Sequence, residues 1–189
     1  MGRRSMATAM SSALCAALMA TGCVGAASRT EFEDMVRERG GGVSATAVSD
    51  VLDDLRTRSG ADDPDVRMLR FNFDATTAVL EVRNPARPDD LDRYTYRNDQ
   101  HVSTEPVRLS ADDDLDELTV ALSTYPLADI ERIADEALAA FDSDGGYVTA
   151  ITMGSFGPPP VIRVDVESPR SSGTATFDPD GRLTEFDDD

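Results

Sequence analysis

Twice in this chain, 84 positions apart, apolar residues occupy every second position and a proline soon follows: Ala78, Leu80, Val82 and Pro85, then Ile162, Val164, Val166 and Pro169. A period of two puts alternate side chains on opposite faces of an extended strand, so each run has one face to bury. Each is preceded by a helical stripe. Val48, Val51, Leu52 and Leu55 fall at i, i+3, i+4 and i+7 after Ser44, and Leu127, Ile130, Ile133, Ala134, Ala137, Leu138 and Phe141 follow Pro126. Serine at the cap and proline in the first turn start such helices; Ser59-Gly60 and Gly145-Gly146 stop them. Tyr96 and Asp99 recur as Phe177 and Asp180, 81 positions on. This order predicts an α+β fold: two pseudo-repeated units, each a helix plus antiparallel sheet, packed as one body.

The strands can be placed within each unit. Leu69, Phe71 and Phe73 alternate with Met68, Arg70 and Asn72 in a strand from Val66, and after a turn at Asp74–Thr76 the Ala78–Val82 run pairs with it. Asn84-Pro85-Ala86-Arg87-Pro88 reads as a break, because neither proline can donate to a ladder. Tyr94-Thr95-Tyr96 then begins a third strand that turns at Arg97–Gln100, and His101–Leu109 continues less regularly. The acids Asp112, Asp113, Asp114, Asp116 and Glu117 read as a solvated connection, and Leu118–Tyr125 as a strand. In the second half Val148–Phe156 reads as a strand, Gly157–Pro160 as a rigid loop, and Thr174–Phe177 with Arg182–Phe186 as a hairpin around Asp178–Gly181. Thr30 caps a short helix to Arg39 with Phe32, Met35 and Val36 on one side, ended by Gly40–Gly42. The first repeat is therefore read as 30–110, the acidic connection as 111–125 and the second repeat as 126–189.

The N-terminus carries an export signal. Arg3 and Arg4 precede an uncharged run from Met6 to Gly22, shorter and poorer in large apolar residues than the roughly 20 needed to span a bilayer, so it reads as cleaved. Ala20-Thr21-Gly22-Cys23 resembles the lipobox of bacterial lipoproteins, with Ala20 where leucine is usual. The resemblance implies a signal peptide at 1–22, an acylated Cys23 as the new N-terminus, a tether at 23–29, and a protein held by its lipid on the extracytoplasmic face of a cell membrane. Arg3-Arg4 also evokes twin-arginine export, but Ser5-Met6-Ala7 departs from that pattern. Removing 22 of the 189 residues leaves 167, enough for one ordinary domain or two small ones. Cys15 is lost with the signal and an acylated Cys23 cannot pair, so packing, with no disulfide framework, must stabilise the fold.

Charge narrows the partners. The formal charge is -18, and losing Arg3 and Arg4 makes it -20, with all 18 basic residues arginine. Such a chain repels phosphate backbones, which argues against nucleic acid as a partner. A chain without lysine and rich in Ala, Gly, Asp and Arg looks like lipoproteins of high-GC Gram-positive bacteria; a salt-loving source accounts equally for the acidity.

The helix-then-strands order given twice, with Arg83-Asn84-Pro85, Tyr94-Thr95-Tyr96 and Ser168-Pro169-Arg170, is similar to small envelope modules of the PepSY and BLIP-like kind and to uncharacterised actinobacterial lipoproteins. The resemblance covers roughly Ser44 to Phe186 and implies a binding or regulatory module of the cell envelope, with no shared catalytic residues and no cofactor. A carrier of an envelope ligand or lipid, or a structural lipoprotein, is the alternative. A metal-dependent hydrolase is the more distant one.

Candidate chemistry is sparse. His101, beside a turn and near Ser103, reads as an exposed histidine in preference to part of a triad. Asp178, Asp180 and Asp187–Asp189, or Asp112–Asp116, offer oxygens to Ca²⁺, but turns and solvated loops explain aspartates there without an ion, and no metal site is assigned. The sharper feature is arginine. If the apolar positions of the first sheet face inward, Arg70, Arg83, Arg93 and Arg97 face outward together, able to grip a carboxylate or phosphate on an acidic envelope protein, an anionic polymer or a lipid headgroup. Cross-strand pairing with Glu81 and with acids of the second half is the simpler reading of the same four residues.

Overall fold

Ser44 opens the first helix, α1 (Ala45–Ser59), by accepting a hydrogen bond from the Ala47 amide on its hydroxyl at 3.2 Å. Gly60 closes it in the left-handed conformation, φ 74°, donating its N–H to the Arg56 carbonyl at 3.0 Å. The stripe between, Val48, Val51, Leu52 and Leu55, is buried. The computed structural model describes residues 44–73, 76–141, 146–155, 159–168 and 170–188. The signal peptide, Cys23, the tether, the helix expected at 30–39, Pro169 and Asp189 lie outside the described residues, as do parts of the turn at 74–76, the stop at 145–146 and the loop at 157–160.

Among the described residues, eight of the nine strands form two meanders, each preceded by a helix. After α1 come β1 (Asp65–Asn72), β2 (Thr77–Asn84), β3 (Arg87–Arg97) and β4 (Gln100–Pro106). A connection holds the one-turn α2 (Leu115–Leu118) and the two-residue β5 (Val120–Ala121). Then α3 (Ile130–Phe141) leads into β6 (Tyr147–Gly154), β7 (Val161–Glu167), β8 (Ser172–Phe177) and β9 (Leu183–Asp188). All pairings are antiparallel, in the order β4-β3-β2-β1-β6-β7-β8-β9, with β5 added beside the start of β1. The result is a mixed helix and antiparallel-sheet fold in which β1 and β6 join the meanders at Phe71↔Ile151.

Both helices cover one face. Leu69, Leu80 and Tyr96 from the first meander, and Ile151, Ile162, Val164 and Phe177 from the second, are 0% exposed and share one cluster with α1 and with Ile130, Ile133, Ala134 and Ala137 of α3. The two strictly alternating runs thus supply the second strand of each meander, every apolar member buried. No helix among the described residues is long and apolar enough to cross a membrane.

Three local expectations are corrected. β3 begins at Arg87, not at Tyr94: the Asn84 side-chain carbonyl accepts from the Ala86 and Arg87 amides at 2.9 and 3.1 Å, closing a tight turn. Pro88 fits the strand because the register jumps from Asn84↔Arg87 to Arg83↔Leu91, leaving residues 88–90 opposite no β2 partner, so its missing N–H breaks no rung. Leu118–Tyr125 is strand only at Val120–Ala121; the Leu122 amide then turns back to the Pro64 carbonyl at 3.0 Å and a 3₁₀ turn follows. The helix expected from Pro126 starts as another 3₁₀ turn, Leu127–Asp129, and becomes α-helical at Ile130.

Candidate functional site

The described helices pack on one face of the sheet and leave the opposite face uncovered by helix. Its residues follow from register. One row runs Ser103, Thr95, Val79, Arg70, Thr152, Arg163, Thr176, Glu185; the next runs Gln100, Arg97, Thr77, Asn72, Ala150, Asp165, Thr174, Asp187. A third, over the first meander, runs Glu105, Arg93, Glu81, Met68. All four arginines singled out in the sequence stand on this face, where small β-branched residues separate them.

Their surroundings differ. Arg93 sits opposite Glu81 and donates from Nε at 3.0 Å and from a terminal nitrogen at 2.7 Å to Glu81 Oε1. Arg67, which the β1 bulge between Val66 and Met68 sets out of register, donates through two nitrogens to Glu81 Oε2. Glu81 is 1% exposed, a carboxylate buried on the solvent side of a sheet beneath two guanidinium planes. Sequence reasoning missed both the burial and Arg67, because the bulge that brings Arg67 there is invisible in the alternation.

Arg70 reaches across the junction between meanders, to Thr152 Oγ1 at 2.8 Å and Asp165 Oδ2 at 3.3 Å, and to Asn72 Oδ1 at 2.8 Å. Arg83 is held by Asp116 at 2.6 Å and by the Pro88 carbonyl at 2.6 Å. Its row partner Leu91 is 1% exposed although it stands on the outer face; the chain leaving β4 runs beside it, the Val107 amide donating to the Leu91 carbonyl at 2.8 Å. Arg97 differs from the others: it is exposed, with no partner among the described residues. Asp187, in the same row on β9, is exposed and equally without one.

In these three rows the two meanders carry opposite charge. Arg70, Arg93 and Arg97, with Arg67 above Glu81, outnumber Glu81 and Glu105 on β1–β4 by two; Asp165, Glu185 and Asp187 outnumber Arg163 by two on β6–β9. The face is therefore split into a basic and an acidic half within an acidic chain.

The remaining candidates resolve differently. His101 stands on the helix side of β4, its ring 5.6 Å from that of Tyr96 edge-on and its Nε2 2.8 Å from Thr104 Oγ1. Ser103 points to the opposite face after the register shift in β4, so the two form no catalytic pair. Asp178 Oδ1 accepts the Arg182 amide at 2.9 Å, and Asp180 pairs with the Arg182 guanidinium at 2.7 Å, which closes the β8–β9 turn on its own carboxylates. Among the described residues no cluster of three or more His, Cys, Asp or Glu is arranged to hold a metal.

A cavity of about 230 Å³ lies between the start of α1 and the ends of β1–β3, lined by Val48, Val51, Phe71, Phe73 and Ala78 with Asn98 and Asp99. The Tyr96 ring also lines it, while the Tyr96 hydroxyl is buried without a hydrogen bond of normal geometry. Burial first, and then the Asp54 carboxylate nearby, raise the Tyr96 pKa above that of an ordinary phenol. Asp54 itself is held low, chiefly by its bond to Arg58 one turn along the helix.

No protein-family model matches the chain, and no curated protein sequence does. Its fold is similar to the crystal structure of a protein provisionally assigned as a lipoprotein from Clostridium difficile 630, with a TM-score of 0.56 at 11% identity over 75% of this chain and 92% of that one. At that identity the likeness is one of fold.

Proposed function

We propose that the protein is a non-catalytic binding or regulatory module of the cell envelope, anchored by a lipid on Cys23 to the extracytoplasmic side of a membrane. Two pseudo-repeated units, 30–110 and 126–189 joined by 111–125, build one sheet and leave one face for a partner. The observation that carries this reading is that face: eight strands wide, polar, two-signed, and crossed by described chain only near Arg83 and Leu91. The lipobox-like Ala20–Cys23 supports the anchor, and the fold's likeness to a provisionally assigned lipoprotein is consistent with it. The partner that suits the basic half is an envelope protein or anionic polymer, met through Arg70, Arg93 and Arg97 and bounded by Arg83. Crosslinking the lipidated protein in intact cells, with the Arg70, Arg83, Arg93 and Arg97→Ser variant beside it, tests the reading. Capture of a defined envelope component by the parent and its loss in the variant is expected; equal capture by both, with only a small loss of stability, leaves the arginines as cross-strand ties.

A carrier role draws on the apolar cavity beside α1. At about 230 Å³ it falls below the roughly 300–1,000 Å³ usual for small-molecule sites, so the sheet face is the better supported surface.

A further inference from the structure

We propose that the open sheet face receives a second copy of this chain, turned by a two-fold axis that runs along the strands between β1 and β6. The inference rests on the reading of this face as a binding surface and names its occupant.

Two charges on this face are left unpaired. Arg97 on β3 and Asp187 on β9 lie in one row, on opposite halves of the sheet, both exposed and both without a partner among the described residues. They cannot meet within one chain, because β2, β1, β6, β7 and β8 stand between them. The proposed rotation keeps each row in place and exchanges the halves. The β3 strand of one copy then crosses β8 of the other, and Arg97 is set over Thr174, between Asp165 and Asp187. The same contact forms twice, as an isologous interface requires.

Three further observations favour this occupant. The rows, counted with Arg67 above Glu81, carry two net positive charges on β1–β4 and two net negative charges on β6–β9, so the face is complementary to itself when halves are exchanged, whereas a uniformly anionic partner would oppose one half. Thr77, Val79, Thr174 and Thr176 are short and only half-buried, which lets two sheets approach to about the 10 Å of aligned sheet packing. Eight strands at about 4.8 Å, with two rows of about 7 Å along all eight and a third along half of them, offer roughly 670 Å² per copy, about 1,300 Å² in total, the lower end of stable interfaces.

The test is sedimentation equilibrium of the full lipidated chain in density-matched detergent, over concentrations from about 1 to 200 μM. The parent is expected to dimerise. Arg97→Asp and Asp187→Arg, each at an exposed position and each checked by its melting temperature, are expected to weaken dimerisation at least tenfold. The double variant R97D/D187R is expected to restore it. A parent that stays monomeric throughout, or a double variant no better than its parents, overturns the inference. A monomeric parent that still captures an envelope component in the crosslinking experiment overturns the self-pairing alone. A dimer that captures nothing else upholds the self-pairing and removes the envelope ligand from the reading beneath it.

Discussion

Glu81 and Arg93 face each other across the β2–β3 ladder, and the carboxylate, 1% exposed, is closed from the far side by Arg67. Ion pairs at a protein surface are ordinarily worth little, but here the acid is desolvated while its partners keep part of their hydration, with side chains 28% and 46% exposed. Removing the acid leaves two guanidiniums over a site that no longer answers their charge. Glu81→Ala is therefore expected to cost about 3 kcal/mol, the scale for breaking a buried pair, whereas Arg93→Ala should cost about 1 kcal/mol because Arg67 remains. Urea unfolding of the three proteins measures both. Equal losses from the two substitutions would show that Glu81 is not the centre of the group.

Gly173 on β8 is required for packing. A Cβ built there would stand 2.8 Å from Phe186 Cζ and 2.9 Å from the Asp187 carbonyl oxygen, and the Phe186 ring in turn packs at a tilt against Phe141 of α3, centroids 6.0 Å apart. Gly173→Ala should destabilise by about 1–3 kcal/mol through overpacking. Part of this is expected to return in the double variant with Phe186→Leu, since the two residues share one volume. Strictly additive losses would mean that the Asp187 backbone, not the Phe186 ring, is the obstacle.

These two sites mark where the sequence was readable. Ser44, Gly60 and the stripe between them specify α1 locally, and strict alternation specifies β7, because in both the signal lies within one element. Glu81 could not be recognised that way. It occupies an outward position of β2 like Val79 and Arg83, and its burial is created by a bulge on one neighbouring strand and an arginine on the other. Leu91 is the same problem with opposite polarity: an apolar residue on the outer face, buried where the chain leaving β4 passes it. Pro88 misled because its missing donor was weighed without the register jump that leaves it opposite nothing. The arginines were placed on the correct face from alternation, but which of them remains unpaired depends on contacts as distant as Asp116 and Asp165.

Alkaline pH should expose the buried phenols. Tyr125 is pushed up to about 12 by burial, and Tyr94 is raised too, by burial and then by Asp92. Tyr96 is also raised. The unfolded chain gives up these protons near pH 10, whereas the folded one keeps them. Above pH 10 the native state thus binds more protons, and stability falls as pH rises, by up to about 1.4 kcal/mol per pH unit for each tyrosine. For Tyr125 the window runs from pH 10 to about 12. Tyr125→Phe should flatten the pH dependence of the urea midpoint between pH 10 and 11.5 by one such share. An unchanged slope would place the hydroxyl in contact with solvent.

The β3–β4 turn offers a gain in stability instead of a loss. Asn98 and Asp99 both have positive φ, 47° and 59°, the conformation of a two-residue hairpin turn whose second position favours glycine. Asn98 already suits its place: its side-chain carbonyl accepts from Thr76 Oγ1 at 2.7 Å, and its amide donates to the Thr76 carbonyl at 2.8 Å. Asp99 has no such bond and keeps a Cβ in the left-handed region, where an L residue is strained by about 1 kcal/mol. Asp99→Gly should therefore stabilise the fold by about 0.5 kcal/mol, the relief of strain being partly offset by the greater freedom of glycine in the unfolded chain. Asn98→Ala should lose about 1 kcal/mol or more, from the bond to Thr76 together with the strain. Thermal melting of the two variants against the parent decides the matter, and a lower melting temperature for Asp99→Gly would show that its carboxylate contributes more to the turn than its backbone costs.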